Sequence, residues 1–224
     1  MNVLIIGPQG SGKGTQAEKL AEKFQLAHVE MGEILRGIVK EDTILGNKVN
    51  EVMNLHGKLV PDDIIFEIIN NYLKNIGKLD GIIFDGFPRI ISQAQYLDKF
   101  LAESGKKINL VIYLTLSREE TLKRLTNRRI CKKCGQVYNL LTKSPKKEGF
   151  CDICDGELIL RTDETPQAIN TRLNEFLQKT KPLIEFYRQK GILEEVDGNR
   201  PIEVIFEEIV GRLKKRGLIA DGQN

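Results

Sequence analysis

The sequence has no long hydrophobic segment, and none of its apolar runs approaches the ~18 consecutive residues that a membrane-spanning helix requires. A basic leader followed by an apolar signal core is also missing, because Met1 and Asn2 lead directly into a short strand pattern. These absences predict a cytoplasmic protein without a membrane partner.

The sequence also has little net charge. Its 34 Lys and Arg residues and 31 Asp and Glu residues leave +3 over 224 residues, which is too little to imply a nucleic-acid partner on charge alone. Charged residues make up 29% and apolar residues 41% of the chain, the balance of an ordinary globular protein. The mild positive excess fits small anionic substrates.

Histidine is scarce, with only His28 and His56 in the chain. Neither lies in a motif typical of a general base, and we expect both to be structural or solvated. Any catalysis must therefore come from other residue types.

Cysteine is limited to two close pairs, Cys131 with Cys134 and Cys151 with Cys154. In a reducing compartment this pairing favours metal ligation over disulfides. Four thiolates can surround Zn²⁺ tetrahedrally and leave no open position for a substrate, so we predict a structural zinc site. Iron in the same site and unliganded buried thiols are the alternatives.

The cysteines lie in a segment, residues 130–161, that is too short to bury a core of its own and that zinc would stabilise. From Cys131 to Cys154 it carries five lysines against two acidic residues. A four-thiolate zinc site adds a net charge of about −2 and cancels most of that excess. Nucleic-acid binding by this segment is therefore an alternative that its charge does not favour.

The start of the chain carries a phosphate-binding motif. The apolar run Val3–Ile6 leads into the glycine-rich stretch Gly7–Thr15, and a helical pattern follows from Gln16 to Phe24. A glycine-rich turn between a strand and a helix N-terminus directs backbone N–H groups at a polyphosphate, and Lys13 would reach its terminal phosphates. The predicted phosphate-binding residues are Gly10, Ser11, Gly12, Lys13, Gly14 and Thr15, with the hydroxyl for Mg²⁺ at Thr15.

Apolar strand patterns alternate with helical patterns along the rest of the chain, which predicts an α/β fold with a parallel sheet covered by helices on both faces. The further strands are predicted at 81–84, 110–114, 193–196 and, more weakly, 27–29. Helices are predicted from Pro61 to Leu73, after a Ser117 and Glu120 capping box to Arg129, from Pro166 to Lys190 and from Ile202 to Arg216. We predict a core of residues 1–29, 61–129 and 162–224 with inserted lobes at 30–60 and 130–161.

The strand at 81–84 ends in Asp85-Gly86-Phe87-Pro88-Arg89, and Gln93 follows. Ligands of parallel sheets bind at the carboxyl ends of the strands, so these side chains should lie beside the phosphate loop. Asp85 would hold Mg²⁺ through water, Arg89 offers a planar fork for phosphate oxygens, and Gln93 carries both a donor and an acceptor for a base edge.

Taken together, the motifs resemble the adenylate kinases of the longer type, which carry a zinc-binding four-cysteine lid. The residues that carry the resemblance are Gly7–Thr15, Arg36, Gly57–Asp62, Asp85–Arg89, Gln93, Arg128 with Arg129, the four cysteines, Arg161 with Arg172, and Val196–Gly198. The resemblance implies a P-loop nucleoside monophosphate kinase fold with a five-stranded parallel sheet and two inserted mobile lobes. It implies a monomer that converts MgATP and AMP reversibly into two ADP, with adenine nucleotide homeostasis as its role.

The resemblance also implies a role for single residues, each by its number in this chain. The ATP site adds Arg124, Arg128, Val137, Tyr138 and Arg200 to the phosphate loop. The AMP site comprises Met31, Arg36, Lys58, Leu59, Val60, Gly86, Phe87, Pro88, Arg89, Gln93, Arg161 and Arg172. Lys13, Arg89, Arg124, Arg128, Arg161 and Arg172 are implied to be catalytic. Arg124 and Arg128 are expected on one helix face, and Arg161 and Arg172 about three helical turns apart.

One stretch departs from the family pattern. Relatives carry a small hydroxyl residue and then Thr-Gly-Asp, whereas this chain has Glu30-Met31-Gly32-Glu33. Met31 has no hydroxyl, so its contact with a base is restricted to apolar packing or a weak sulfur interaction. A kinase with CMP, UMP or GMP as acceptor is therefore the first alternative, and a nucleotide-gated zinc adaptor without turnover is the second.

Overall fold

The computed structural model describes residues 1–52, 59–161 and 166–220. Its strands are β1 (Asn2–Ile6), β2 (Ala27–Glu30), β3 (Ile82–Asp85), β4 (Leu110–Thr115), β5 (Arg128–Cys131), β6 (Val137–Asn139), β7 (Leu158–Ile159) and β8 (Leu193–Asp197). Five of them form a parallel sheet in the order β2-β3-β1-β4-β8, which confirms the predicted sheet. The sheet register pairs Ile5 of β1 with Asp85 of β3, so the phosphate loop and Asp85 leave the sheet at the same edge.

The described helices are α1 (Lys13–Phe24), α2 (Met31–Lys40), α3 (Ile44–Asn50), α4 (Asp62–Ile76), α5 (Ile91–Ala102), α6 (Arg118–Thr126), α7 (Pro166–Glu175), α8 (Lys181–Gln189) and α9 (Ile202–Lys215). Successive residues of β1 serve opposite faces of the sheet, as the period of two in a strand requires. Leu4 packs in a core with residues of α4, α5 and α8, whereas Val3 packs in a second core with residues of α1 and α9. Helices therefore cover both faces, as predicted.

The predicted end of α6 is wrong. Ser117 caps the helix through Glu120 N–H, but the helix stops at Thr126 and Arg128 lies in β5. Two side-chain amides end it: Asn127 donates to the Lys123 carbonyl and Asn139 to the Arg124 carbonyl, each at 2.9 Å. With its last carbonyls satisfied, the chain turns into the β5–β6 hairpin, so Arg124 and Arg128 do not share a helix face.

The predicted helix from Pro166 to Lys190 forms, but it contains a π-helical segment at Phe176–Thr180 and ends at Gln189. Arg161 precedes it and is not helical, so the expected spacing of three helical turns to Arg172 is also wrong. The predicted residues His56 and Lys58 lie outside the described residues.

The two inserted segments differ in structure from the core. The first contains α2 and α3, and the second contains a three-stranded antiparallel sheet in the order β6-β5-β7. That these segments are separate lobes that move stays a prediction. Among the described residues, we find no helix with the length and apolar character needed to cross a bilayer.

Candidate active site

The glycine-rich stretch folds as a compact loop between β1 and α1. Gly10 and Gly12 have φ angles of 80° and 89°, which favour glycine, and Gly12 directly precedes the helix. Gly7 is required by close approach, because a Cβ there would lie 2.6 Å from Ser11 Oγ and 2.7 Å from the Leu114 carbonyl oxygen. Lys13 bends back over the loop, and its Nζ donates to the Pro8 carbonyl at 3.0 Å.

A cavity of about 1230 Å³ opens at the carboxyl ends of the sheet strands. It exceeds the usual ~300–1,000 Å³ of a site for one small ligand, so it has room for two nucleotides. Every nucleotide-site residue predicted from the sequence that the structure describes lines this cavity, and only Lys58 is outside the described part of the chain. The structure thus brings the predicted set together, and the individual roles stay predictions.

The buried Asp85 carboxylate and the half-buried Lys13 ammonium have opposite charges and lie close together at the phosphate loop. Burial lowers the pKa of Lys13 from its ordinary 10.5 to about 8, and the neighbouring Asp85 carboxylate opposes part of that shift. Burial likewise raises the pKa of Asp85, and Lys13 acts against it. The two groups therefore stabilise each other's charge at the wall of the cavity.

The pKa of Lys13 makes nucleotide binding by the free enzyme sensitive to pH. Since the lysine loses its proton above pH about 8, kcat/KM for ATP is expected to fall as pH rises through that value. Bound polyphosphate would hold the proton, so kcat at saturating ATP should stay level over the same range. Initial rates from pH 6 to 10 measure both, and a kcat/KM that is level to pH 10 would contradict the assignment.

The residues after β3 form a second polar group. Gln93 is buried; its Oε1 accepts from the Arg89 backbone N–H at 2.8 Å, and its Nε2 donates to Asp62 Oδ1 at 2.8 Å. The Arg89 side chain donates to the Gly86 carbonyl at 2.9 Å. These bonds fix the amide and leave one N–H and one lone pair of Gln93 for a ligand. Sequence reasoning missed Asp62 as a site residue, because it also suits the first turn of a helix.

Arg89 belongs to a group of three guanidiniums. Burial lowers its pKa, and repulsion by Arg172 and Arg36 lowers it further, whereas Asp85 raises it. Arg36 pairs with Glu30, with Nη2 2.9 Å from Oε1. Three like charges held together at the edge of a cavity make an anion site.

The side chains of Tyr138, in the second inserted segment, and Arg124, in α6, make contacts that the sequence did not predict. The Tyr138 hydroxyl accepts from the Asp152 N–H at 2.8 Å and lies 3.5 Å from Cys151 Sγ, so its ring is buried among the cysteines. Tyr138 and the partly exposed Val137 both line the cavity, and their contact with ATP stays a prediction. Arg124 lies against Glu120 at 3.0 Å and reaches the Gly10 carbonyl at 3.5 Å.

The four cysteine sulfurs lie within 4.8 Å of one another. Cys131 and Cys154 are 3.4 Å apart and Cys134 and Cys151 are 3.6 Å apart, close to the ~3.8 Å between sulfurs on a tetrahedral zinc. None of the four is in a disulfide. Backbone N–H groups of Cys134 and Ile153 point at sulfurs, each at 3.4 Å, as thiolates require. The donor set therefore fits a structural Zn²⁺.

Comparison with known proteins agrees with this geometry. The family model described as Adenylate kinase matches residues 5–192. The chain is 40% identical to the adenylate kinase of Desulforamulus reducens over 214 residues, which is 96% of this chain and 100% of that protein. It is 43% identical to the adenylate kinase of Archaeoglobus fulgidus over 215 residues, covering 96% and 99% of the two chains. The same identity holds over 213 residues with that of Caldicellulosiruptor saccharolyticus, covering 95% and 99%. The chain therefore belongs to the adenylate kinase family, the ATP:AMP phosphotransferases.

Proposed function

We propose that the protein transfers the terminal phosphoryl group of MgATP to AMP in this cavity, and that the reverse reaction converts two ADP into ATP and AMP. The observation that carries the proposal is that one cavity holds both a phosphate loop and, apart from it, a group of three guanidiniums. A donor polyphosphate and an acceptor monophosphate each have an anion site there. Maintenance of the adenine nucleotide balance in the cytoplasm, by a monomer, is the corresponding cellular role.

The donor side is built on the loop before α1. Its backbone N–H groups and Lys13 hold the ATP phosphates, and the half-buried Lys13 ammonium stabilises the negative charge that develops on the transferring oxygens. Magnesium arrives with ATP as part of the substrate, and Asp85 would hold it through water. Arg200, which pairs with Glu208 and donates to the Asp197 carbonyl, borders the adenine end.

The acceptor side is built on α2 and the turn after β3. Arg36 and Arg89 bind the AMP phosphate and aim it at the terminal phosphoryl group, and Gln93, fixed by Asp62, offers its free N–H and lone pair to adenine. Met31 is buried beside Gly86, where a Cβ would lie 3.8 Å from Met31 Cβ, and it supplies an apolar wall for the base. Backbone groups of Leu59 and Val60 complete the pocket.

Closure of the two inserted segments completes the site. The segment at 130–161 carries the four cysteines that fit a structural Zn²⁺, and the metal would keep that small unit folded while it moves. Closure brings Arg124, Arg128, Arg161 and Arg172 around the transferring group and excludes water, which would otherwise accept the phosphoryl group. No step requires a general base, because phosphoryl transfer depends on alignment and charge stabilisation.

An acceptor comparison tests the proposal. ADP formation from MgATP is measured with AMP, CMP, UMP or GMP at equal concentration. A sample of enzyme and MgATP without any monophosphate is the control for hydrolysis. We expect AMP to be preferred by at least about a hundredfold in kcat/KM, because the fixed Gln93 amide is left unpaired by a mismatched base. Preference for another monophosphate would overturn the acceptor, and absence of transfer to all four would overturn the function.

A further inference from the structure

The three guanidiniums of the acceptor site come from three separate elements, Arg36 from α2, Arg89 from the turn after β3 and Arg172 from α7. Arg89 is an exposed residue that lines the cavity, and desolvation of its guanidinium, together with repulsion by Arg172 and Arg36, lowers its pKa. An anion beside these like charges would relieve their mutual repulsion, whether it comes from a ligand or from the protein. The described residues contain a carboxylate in direct contact with one of them.

That carboxylate belongs to Glu30, the last residue of β2. Its Oε1 lies 2.9 Å from Arg36 Nη2, and the two side chains remain 32% and 35% exposed, so the pair is open to the cavity. Gly32 leaves room for it, because a Cβ there would lie 3.0 Å from Arg36 Nη1 and 3.6 Å from Glu30 Oε1. The ion pair therefore lies directly against the first turn of α2.

A carboxylate on a guanidinium uses the same N–H donors as a phosphate. We infer that Glu30 sets the affinity of the acceptor site by occupying Arg36 in the empty enzyme, so that the acceptor phosphate binds by displacing its carboxylate. The inference rests on the proposed function for the role of Arg36. Its consequence is that Glu30 weakens the binding of every ligand that uses Arg36 and leaves the nucleoside part of the ligand untouched.

The effect should be larger on the acceptor side than on the donor side. Glu30 is in hydrogen-bond contact with Arg36, whereas a carboxylate oxygen of Glu30 lies within 4.8 Å of Asp85 without a hydrogen bond to it, and burial and Asp85 act on Lys13 more strongly than Glu30 does. We therefore expect its removal to change AMP binding strongly and ATP binding little. Because the carboxylate opposes ground state and transition state equally, its removal should lower KM for AMP without changing kcat.

A matched control is available on the far side of α1. Glu203 pairs with Lys19 at the same distance of 2.9 Å, but its side chain is 69% exposed and no guanidinium group is involved. Replacement Glu203→Gln removes one carboxylate and one ion pair without touching the acceptor site. It measures how much the loss of a surface ion pair changes ligand affinity, and we expect that change to be close to zero.

The test measures the affinity of ligand-free wild type, Glu30→Gln, Glu30→Ser and Glu203→Gln for AMP and for adenosine by calorimetry, together with KM and kcat. We expect both Glu30 variants to bind AMP about three- to tenfold more tightly, with unchanged adenosine affinity and a KM for ATP within about twofold of wild type. Glu203→Gln should match wild type throughout. Thermal melting confirms that each variant is folded.

Unchanged or weaker AMP binding by the folded Glu30 variants would overturn the inference. An equal gain for adenosine would also overturn it, because adenosine has no phosphate for Arg36 and the gain would then reflect pocket shape. These outcomes are independent of turnover. If wild type fails to transfer phosphoryl groups to AMP, the proposed function fails, while tighter AMP binding by Glu30→Gln would still support the competition for Arg36.

Discussion

Replacement of Lys13 by Met is expected to lower the rate of ADP formation at least about a thousandfold, because it removes the half-buried cation of the phosphate loop that is proposed to stabilise the transferring phosphates. The side chain keeps its length, and Nζ makes one hydrogen bond within the loop. The fold should therefore survive. The measurement is the initial rate with saturating MgATP and AMP, beside the circular dichroism melting curve of the same sample.

Lys19→Met is the matched control, because Lys19 lies on the same helix and pairs with Glu203 at the protein surface. It should retain wild-type turnover. The direction of the stability change gives a further check. Since burial lowers the pKa of Lys13, its charge opposes folding at neutral pH, and Lys13→Met should melt at the wild-type temperature or above. Near-normal turnover by folded Lys13→Met would defeat the phosphate-loop assignment.

Loss of the metal from the four-cysteine site is expected to produce the largest change in stability. The sulfurs are grouped as a tetrahedral zinc requires, and the surrounding unit has only a small buried cluster built on Cys131, Tyr138 and Cys151. We expect chelation or Cys154→Ser to lower the melting temperature by about 10 °C, since each kcal/mol is worth about 2–4 °C in a chain of this size. Scanning calorimetry with zinc analysis measures both quantities.

Two variants sharpen this test. Gly156→Ala retains all four cysteines, but its Cβ would lie 2.7 Å from Cys131 Sγ, so it should lose stability and metal as Cys154→Ser does. Ile153→Ser lies between two of the cysteines in sequence, and because Ile153 is 69% exposed it should melt as wild type. An unchanged melting temperature after complete zinc removal would show that the metal is not structural.

The parts of the fold that local sequence determines were predictable. A buried run such as Val3–Ile6 followed by glycines and a lysine specifies a strand, a loop and a helix N-terminus within one short stretch. The end of α6 was not predictable in this way. Asn139, from the opposite strand of a hairpin, supplies one of the amides that end the helix, and periodicity carries no information on such a partner.

In the candidate site, too, features that local sequence determines were predictable and contacts with distant residues were not. Asp85 and Arg89 could be placed beside the loop because parallel strands end at one edge of a sheet. The contacts of Gln93 with Asp62 and of Glu30 with Arg36 depend on side-chain geometry, so only the structure reveals them. Tyr138 is a further case, because it lines the cavity as its motif position suggested, while the packing of its ring among the cysteines could be seen only in the structure.

The most direct test of the central claim is ³¹P NMR of the wild-type enzyme with equimolar MgATP and AMP, and in parallel with MgADP alone. The account predicts that ATP and AMP disappear in equal amounts and yield two ADP for each pair, and that the ADP sample reaches the same equilibrium from the other side. Release of inorganic phosphate without loss of AMP, or no change in either sample, would contradict the account.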